Sequence, residues 1–222
     1  MFTPEDLTTR VDFCIAEAKW LSDLTGIQND LEAAVRVCNR IHRDAERFNL
    51  EPGVDILAMM EERALVAELV CAATVRLMRT LGTGVRSGIP AAWLDDLPAN
   101  LRNAHSYFKS LRDKFIAHSV NPLEDNQVFA WVKGYGTSKA RVTRVDAGPG
   151  RYLPGAGDAA LLGKLASSLL ARVNQEIGAE SARLLAIAEL LPIDEVCKRG
   201  TEELPIPQPA KDVGRGRDPF KA

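Results

Sequence analysis

The stretch Leu111-Arg112-Asp113-Lys114-Phe115-Ile116-Ala117-His118-Ser119 sets a guanidinium and an imidazole six positions apart, near the end of an amphipathic pattern. Imidazole exchanges protons near neutral pH, and guanidinium offers phosphate a fixed, permanently charged fork. Together they suit phosphodiester cleavage without a metal. One imidazole takes the proton of a ribose 2′-OH, a second protonates the leaving 5′-oxygen, and the arginine stabilises the pentacovalent phosphate. One chain offers one such histidine, and a dimer offers two. The plainer alternative is that His118 faces the negative end of a helix dipole while Arg112 pairs with an acid. Spacing alone favours that alternative.

Helix geometry constrains the pair. At roughly 100° per residue, Arg112 and His118 stand about 120° apart around one continuous helix. They do not share a face there, whereas Lys114 and His118, four apart, do. Two arrangements bring Arg112 to an imidazole. Either the helix ends between Ala117 and His118, or a twofold axis sets Arg112 of one copy against His118 of another. C2 dimers are the commonest oligomers and present the same patch twice.

The nine residues resemble the signature of the HEPN superfamily, an arginine and a histidine separated by four to six residues near the end of a bundle helix. Five residues intervene here. The form R-D-K-x-x-A-H-S resembles in particular the AbiU2-like branch, named for abortive phage infection. The resemblance extends over about residues 4–195, and its specific part is this motif. It implies an α-helical bundle and a homodimer with two motifs across a cleft. For active members it implies a metal-independent endoribonuclease of a defence or toxin–antitoxin system, with RNA as substrate and an antitoxin protein as partner. Arg112 and His118 match the motif pair. Asp113 stands where active members commonly carry a polar residue, often asparagine; Lys114, between the pair, and Ser119, directly after it, are the other candidate supporting residues. Many members are non-catalytic, so the resemblance equally admits a protein- or RNA-binding module.

The elements around the motif read as mainly α. Thr3-Pro4-Glu5-Asp6 is a helix start, followed by apolar residues at helical spacing from Leu7 to Leu21, and Gly26 is expected to end that helix. A second helix is expected over about 28–48, before Pro52-Gly53. A third, over about 54–81, is apolar on more than one face, as in a central bundle helix. Trp93 and Leu94 suit a short helical turn. A fourth helix, about 98–117, carries Leu101, Ala104, Phe108, Leu111 and Phe115 on one stripe and stops at Asn121-Pro122. Residues 127–133 and 140–146 are β-branched and aromatic, with Gly134, Gly136 and Thr137 between them, which predicts a β-hairpin with a loop longer than two residues. Asp158 is expected to cap a last long helix over about 159–191, with Gly178 a candidate kink. The expected architecture is an antiparallel bundle of four to five helices spanning 1–199, with the hairpin inserted before the last long helix. Residues 200–222 are rich in Pro, Gly and charge, the composition of a disordered tail.

Charge is uneven. The chain carries a net −2, but residues 100–151 hold nine cations and four acids, +5, which leaves −7 elsewhere. Lys109, Lys133, Arg141 and Arg144 are the candidate RNA contacts. Trp131 and Tyr135 lie among Lys133, Lys139, Arg141 and Arg144. Such aromatics stack on single-stranded bases or pack across a hairpin, and packing is the preferred reading. His105 could line the same cleft with Asn103 and Lys109, although a partly buried polar role is favoured. His42 reads as part of a solvated charged face, and Glu61 and Glu62, in the central helix, could enter the site.

Several classes are disfavoured. The loop Gly82–Pro90 lacks the spacing of a phosphate loop and follows no strand. Cys14, Cys38, Cys71 and Cys197 lack metal-ligand spacing and read as reduced core residues of a cytoplasmic protein. No His/Asp/Glu cluster has ligand spacing, so neither metal nor cofactor is expected. The start of the chain does not read as a signal peptide, and no stretch reads as a membrane span.

Overall fold

Leu24, Ile27, Leu31, Ala34, Cys38 and Ile41 recur in steps of three and four, and all are buried on one helix, α1 (Lys19–Ala45). The computed structural model describes residues 13, 15–45, 56–82, 86–116, 127–148 and 153–199. A 3-10 turn (Ala16–Ala18) leads into α1. The remaining elements are α2 (Ile56–Arg79), α3 (Ala91–Asp95), α4 (Ala99–Leu111), a π-helical turn (Arg112–Ile116), β1 (Gln127–Lys133), β2 (Arg141–Gly148), α5 (Ala156–Glu189) and α6 (Ile193–Arg199).

Long-range contacts orient the helices. Arg76 of α2 donates to Asp30 of α1 at 3.0 Å, while Ile41 and Val70 share a cluster, so α1 and α2 run antiparallel. Gln28 donates to Asn174 at 2.9 Å, Arg183 donates to the Glu17 carbonyl at 2.9 Å, and Cys38 meets Gly163, so α1 and α5 also run antiparallel. Tyr107 of α4 donates to Asp158 at the start of α5 at 2.8 Å. At the other end, Arg172 of α5 pairs with Asp96 just before α4 at 2.6 Å. Leu24, Ile27 and Leu31 of α1, Leu77 of α2, Phe108 of α4 and Leu162, Leu165 and Leu169 of α5 close the core between them. Each such side chain contributes roughly 1.5–3 kcal/mol by leaving water. The fold is a mainly α antiparallel bundle with an inserted hairpin, as the periodicity predicts.

Three boundaries differ from the sequence expectation. Gly26 does not end a helix, because α1 runs through it from Lys19 to Ala45. A Cβ there would lie 2.7 Å from Arg86 Nη1, so Gly26 marks a close approach rather than a stop. The fourth helix is α-helical only to Leu111 and then widens into the π turn. The last long helix begins at Ala156, three residues early. Asp158 lies inside its first turn, where its carboxylate accepts the Gly155 N–H at 2.8 Å instead of occupying the cap itself. That helix runs through Gly178 as one element, and the short α6 follows it. Cys38 is buried, and burial pushes its thiol up to about 11, but Cys197 is exposed rather than in the core. The expected helix start at Thr3, Cys14, Pro52-Gly53, Asn121-Pro122 and the tail 200–222 lie outside the described residues.

β1 and β2 pair antiparallel from Gln127 opposite Gly148 to Lys133 opposite Arg141, with an irregularity between Trp131 and Val132. The turn between them uses Gly134 at φ +71° and Gly136 at φ +82°, the left-handed region that favours glycine. Thr137 fastens the turn by donating its hydroxyl to the Gly134 carbonyl at 2.8 Å. No residue of the hairpin belongs to the buried clusters of the bundle.

Candidate functional site

The site residues are positioned by the amphipathicity of α4. Leu101, Ala104, Phe108 and Leu111 bury one face, so the opposite face looks to solvent. His105, Lys109 and Arg112, spaced four and three apart, share a stripe there. Lys109 and Arg112 are exposed and His105 is partly buried. Burial, then the neighbouring Lys109 charge, lowers the His105 pKa from the ordinary imidazole value.

Arg112 is the first residue of the π turn, which also holds Asp113 and Lys114 and packs Ile116 against the core. A π turn replaces the i→i+4 ladder with i→i+5 and recurs at functional sites. Beyond Leu111 the chain through Ile116 therefore turns more slowly per residue than an α-helix. Arg112 Nη1 donates to Asp113 Oδ1 at 2.5 Å, with both side chains about half exposed. Asp113 therefore engages one edge of the guanidinium. His118 and Ser119 lie outside the described residues.

The hairpin sorts its side chains by face. Directly opposite residues share a face, so Phe129, Trp131 and Lys133 lie with Asp146, Arg144 and Arg141. Trp131 meets Phe129 edge to face at 5.8 Å, and the Arg144 guanidinium lies 5.8 Å from the Trp131 ring centre. Asp146 joins them, accepting from Trp131 Nε1 and from Arg144 Nε at 2.6 Å each. Trp131 thus packs across the hairpin while remaining half exposed, and Tyr135 projects from the turn. The aromatic and cationic face carries Lys133, Arg141 and Arg144 as one surface. Asp146, which orders two of its members, escapes a search for cations and aromatics.

The sequence reading also passed over a second charged cluster. Asp30, buried on α1, takes hydrogen bonds from Arg76 at 3.0 Å and Arg86 at 2.8 Å, with Arg79 at 3.8 Å. Its neighbour Asp23 accepts from Lys19 at 2.7 Å and from the Ser87 N–H at 3.0 Å. The readable signal was a carboxylate beside the buried stripe of Ile27, Leu31 and Ala34. These contacts tie residues 86–89 to α1.

His42 and Glu61 are exposed and Glu62 is partly buried. Among the described residues no group of three or more His, Cys, Asp or Glu is arranged to hold a metal ion. No helix among them is long and apolar enough to cross a membrane. Comparison with family models, curated proteins and solved structures gives no match.

Proposed function

We propose that this chain is a HEPN-like, metal-independent endoribonuclease of a defence or toxin–antitoxin system, acting in the cytoplasm as a homodimer. The observation that carries the reading is Arg112, exposed in a π turn at the end of a bundle helix and six residues before His118. In this reading Arg112 binds the scissile phosphate, and Asp113 fixes one edge of its guanidinium so that the other edge points outward. His118 of one copy takes the 2′-OH proton and His118 of the other protonates the leaving 5′-oxygen. The products are a 2′,3′-cyclic phosphate and a 5′-hydroxyl. Lys109 on α4 and Lys133, Arg141 and Arg144 on the hairpin attract the RNA backbone, while Lys114 and Ser119 support the motif. An antitoxin protein would cover this surface.

One observation favours a second reading, a non-catalytic protein- or RNA-binding module. The Arg112–Asp113 pair gives the guanidinium a structural partner inside its own turn. Single-stranded RNA incubated with purified protein in EDTA separates the two. The nuclease reading expects cyclic-phosphate ends, and a loss of at least about a hundredfold in rate for His118→Ala, the size of a general acid–base contribution, with the helical circular dichroism retained. RNA bound but never cut establishes the module instead.

A further inference from the structure

The ribbon formed by β1 and β2 gathers its cations through one irregularity. Trp131 stands opposite Arg144 and Val132 opposite Val142, so Thr143 is an extra residue on β2. Residues three apart on a regular strand face opposite ways. The extra residue re-aims the strand and sets Arg141 on the face of Arg144, with Lys133 and Trp131 across from them. Lys133 and Arg141 then stand directly opposite each other, an arrangement of like charges that costs stability. Asp146, the one acid in residues 127–148, is engaged by Arg144 and by Trp131 Nε1. Lys133 and Arg141 are exposed, and neither pairs with a carboxylate among the described residues.

The aromatic rings lie on the same face. Trp131 keeps 53% of its surface exposed and Phe129 43%, although the two pack edge to face. Asp146 and Arg144 hold the indole in place. Successive same-face positions on a strand are about 7 Å apart, so the indole lies one such step from the Lys133–Arg141 pair. We propose that this face binds single-stranded nucleic acid, with Lys133 and Arg141 clasping a phosphate and Trp131 stacking on the adjoining base. The proposal rests on the reading of these cations as RNA contacts, adds the base platform and the strand form, and holds whether or not the chain cuts what it binds.

The chemistry of the face selects this ligand. A phosphate between Lys133 and Arg141 removes their repulsion and gains charge-assisted hydrogen bonds. A base covers the half-exposed indole, and every base has a π-face, so the contact tolerates any sequence. A duplex keeps its base faces inside its own stack and meets the cations alone. An acidic peptide satisfies the cations and leaves the indole in water.

Fluorescence anisotropy of the full chain with a labelled oligo(dT) of about twelve nucleotides tests this. That probe lacks the 2′-OH that the proposed cleavage consumes. Lys133→Gln with Arg141→Gln is expected to raise Kd at least about tenfold and to lower the slope of log K against log salt by about one. Trp131→Leu keeps an apolar group against Phe129 but has no π-face. It is expected to raise Kd at least about fivefold with the salt slope unchanged, and Trp131→Phe to return Kd to within about threefold of wild type. Val128→Thr, on the opposite face, is expected to leave Kd within about twofold. A duplex of the same length is expected to be indifferent to Trp131→Leu. A wild type that does not bind oligo(dT) overturns the proposal, as does binding that ignores the Lys133 and Arg141 changes. Equal Kd for wild type and Trp131→Leu leaves a plain polyanion surface and overturns it too. An oligoglutamate bound as tightly as oligo(dT) gives the face to an acidic protein segment instead. Oligo(dT) binding in the expected pattern by a chain that never cuts RNA upholds this site while the nuclease reading fails. RNA cutting without oligo(dT) binding does the reverse.

Discussion

Asp30 has a side chain only 5% exposed, set among three arginines. Burial alone would raise its pKa. The hydrogen bonds from Arg86 and Arg76, with the charges of Arg79 and Arg86, outweigh burial and hold the carboxyl below the usual carboxylate range. A depressed folded-state pKa gives stability that is full above the unfolded value, about 3.9, and is lost as pH falls through the folded value. Urea unfolding at a series of pH values is therefore expected to show stability falling below about pH 4, with Asp30→Asn flattening part of that fall. Asp30→Ala at pH 7 is expected to cost about 1–3 kcal/mol. That is less than for a fully buried pair, because Arg76 and Arg79 are half exposed and can turn to water. The spacing of Arg112 and His118 can be read off the sequence, where by itself it favours a structural role. The arginine cluster cannot, because Arg76, Arg79 and Arg86 stand 46 to 56 positions from Asp30.

At the scale of elements, Gly26 shows how one local signal carries two meanings. Glycine ends helices where the chain must turn left-handed, but it also serves where another group must come close. Here α1 continues through it, and Arg86 lies across it on the way to Asp30. Gly26→Ala adds about 1 kcal/mol of helix propensity and pushes Arg86 off its seat. The expected outcome is little or negative change in the wild-type background, and stabilisation of about 1 kcal/mol in an Arg86→Ala background. Equal effects in both backgrounds, measured by chemical denaturation, would remove the proposed coupling. The hairpin was readable because its period of two and its glycines are local signals. The π turn was not, since the residues Arg112–Ile116 carry on an ordinary amphipathic pattern. Its position is consistent with Ile116 packing against the core while Arg112 stays in solvent.

At the scale of the molecule, the bundle and the ribbon are separately built. The core is closed by α1, α2, α4 and α5, with Trp93, Leu97 and Ile89 filling one end, and the ribbon adds nothing to it. Replacing residues 127–148 with a short Gly/Ser linker is therefore expected to leave the helical signal in place and to change unfolding free energy by no more than about 1 kcal/mol. A collapse of the bundle in that variant would mean that the ribbon folds back onto it.

The sequence by itself determined the helical class, the long helices, the hairpin and its glycine turn, and the motif with its surrounding charge. These follow from patterns of period 3.6 or 2 and from residue chemistry, which act over a few positions. Only the tertiary structure decided that α1 passes through Gly26, that three distant arginines meet Asp30, and that α4 widens at Arg112. It also decided that the ribbon keeps its cations on one face and its valines, exposed, on the other. Those outcomes depend on close approach between distant segments and on strand register, where a shift of one residue exchanges the two faces.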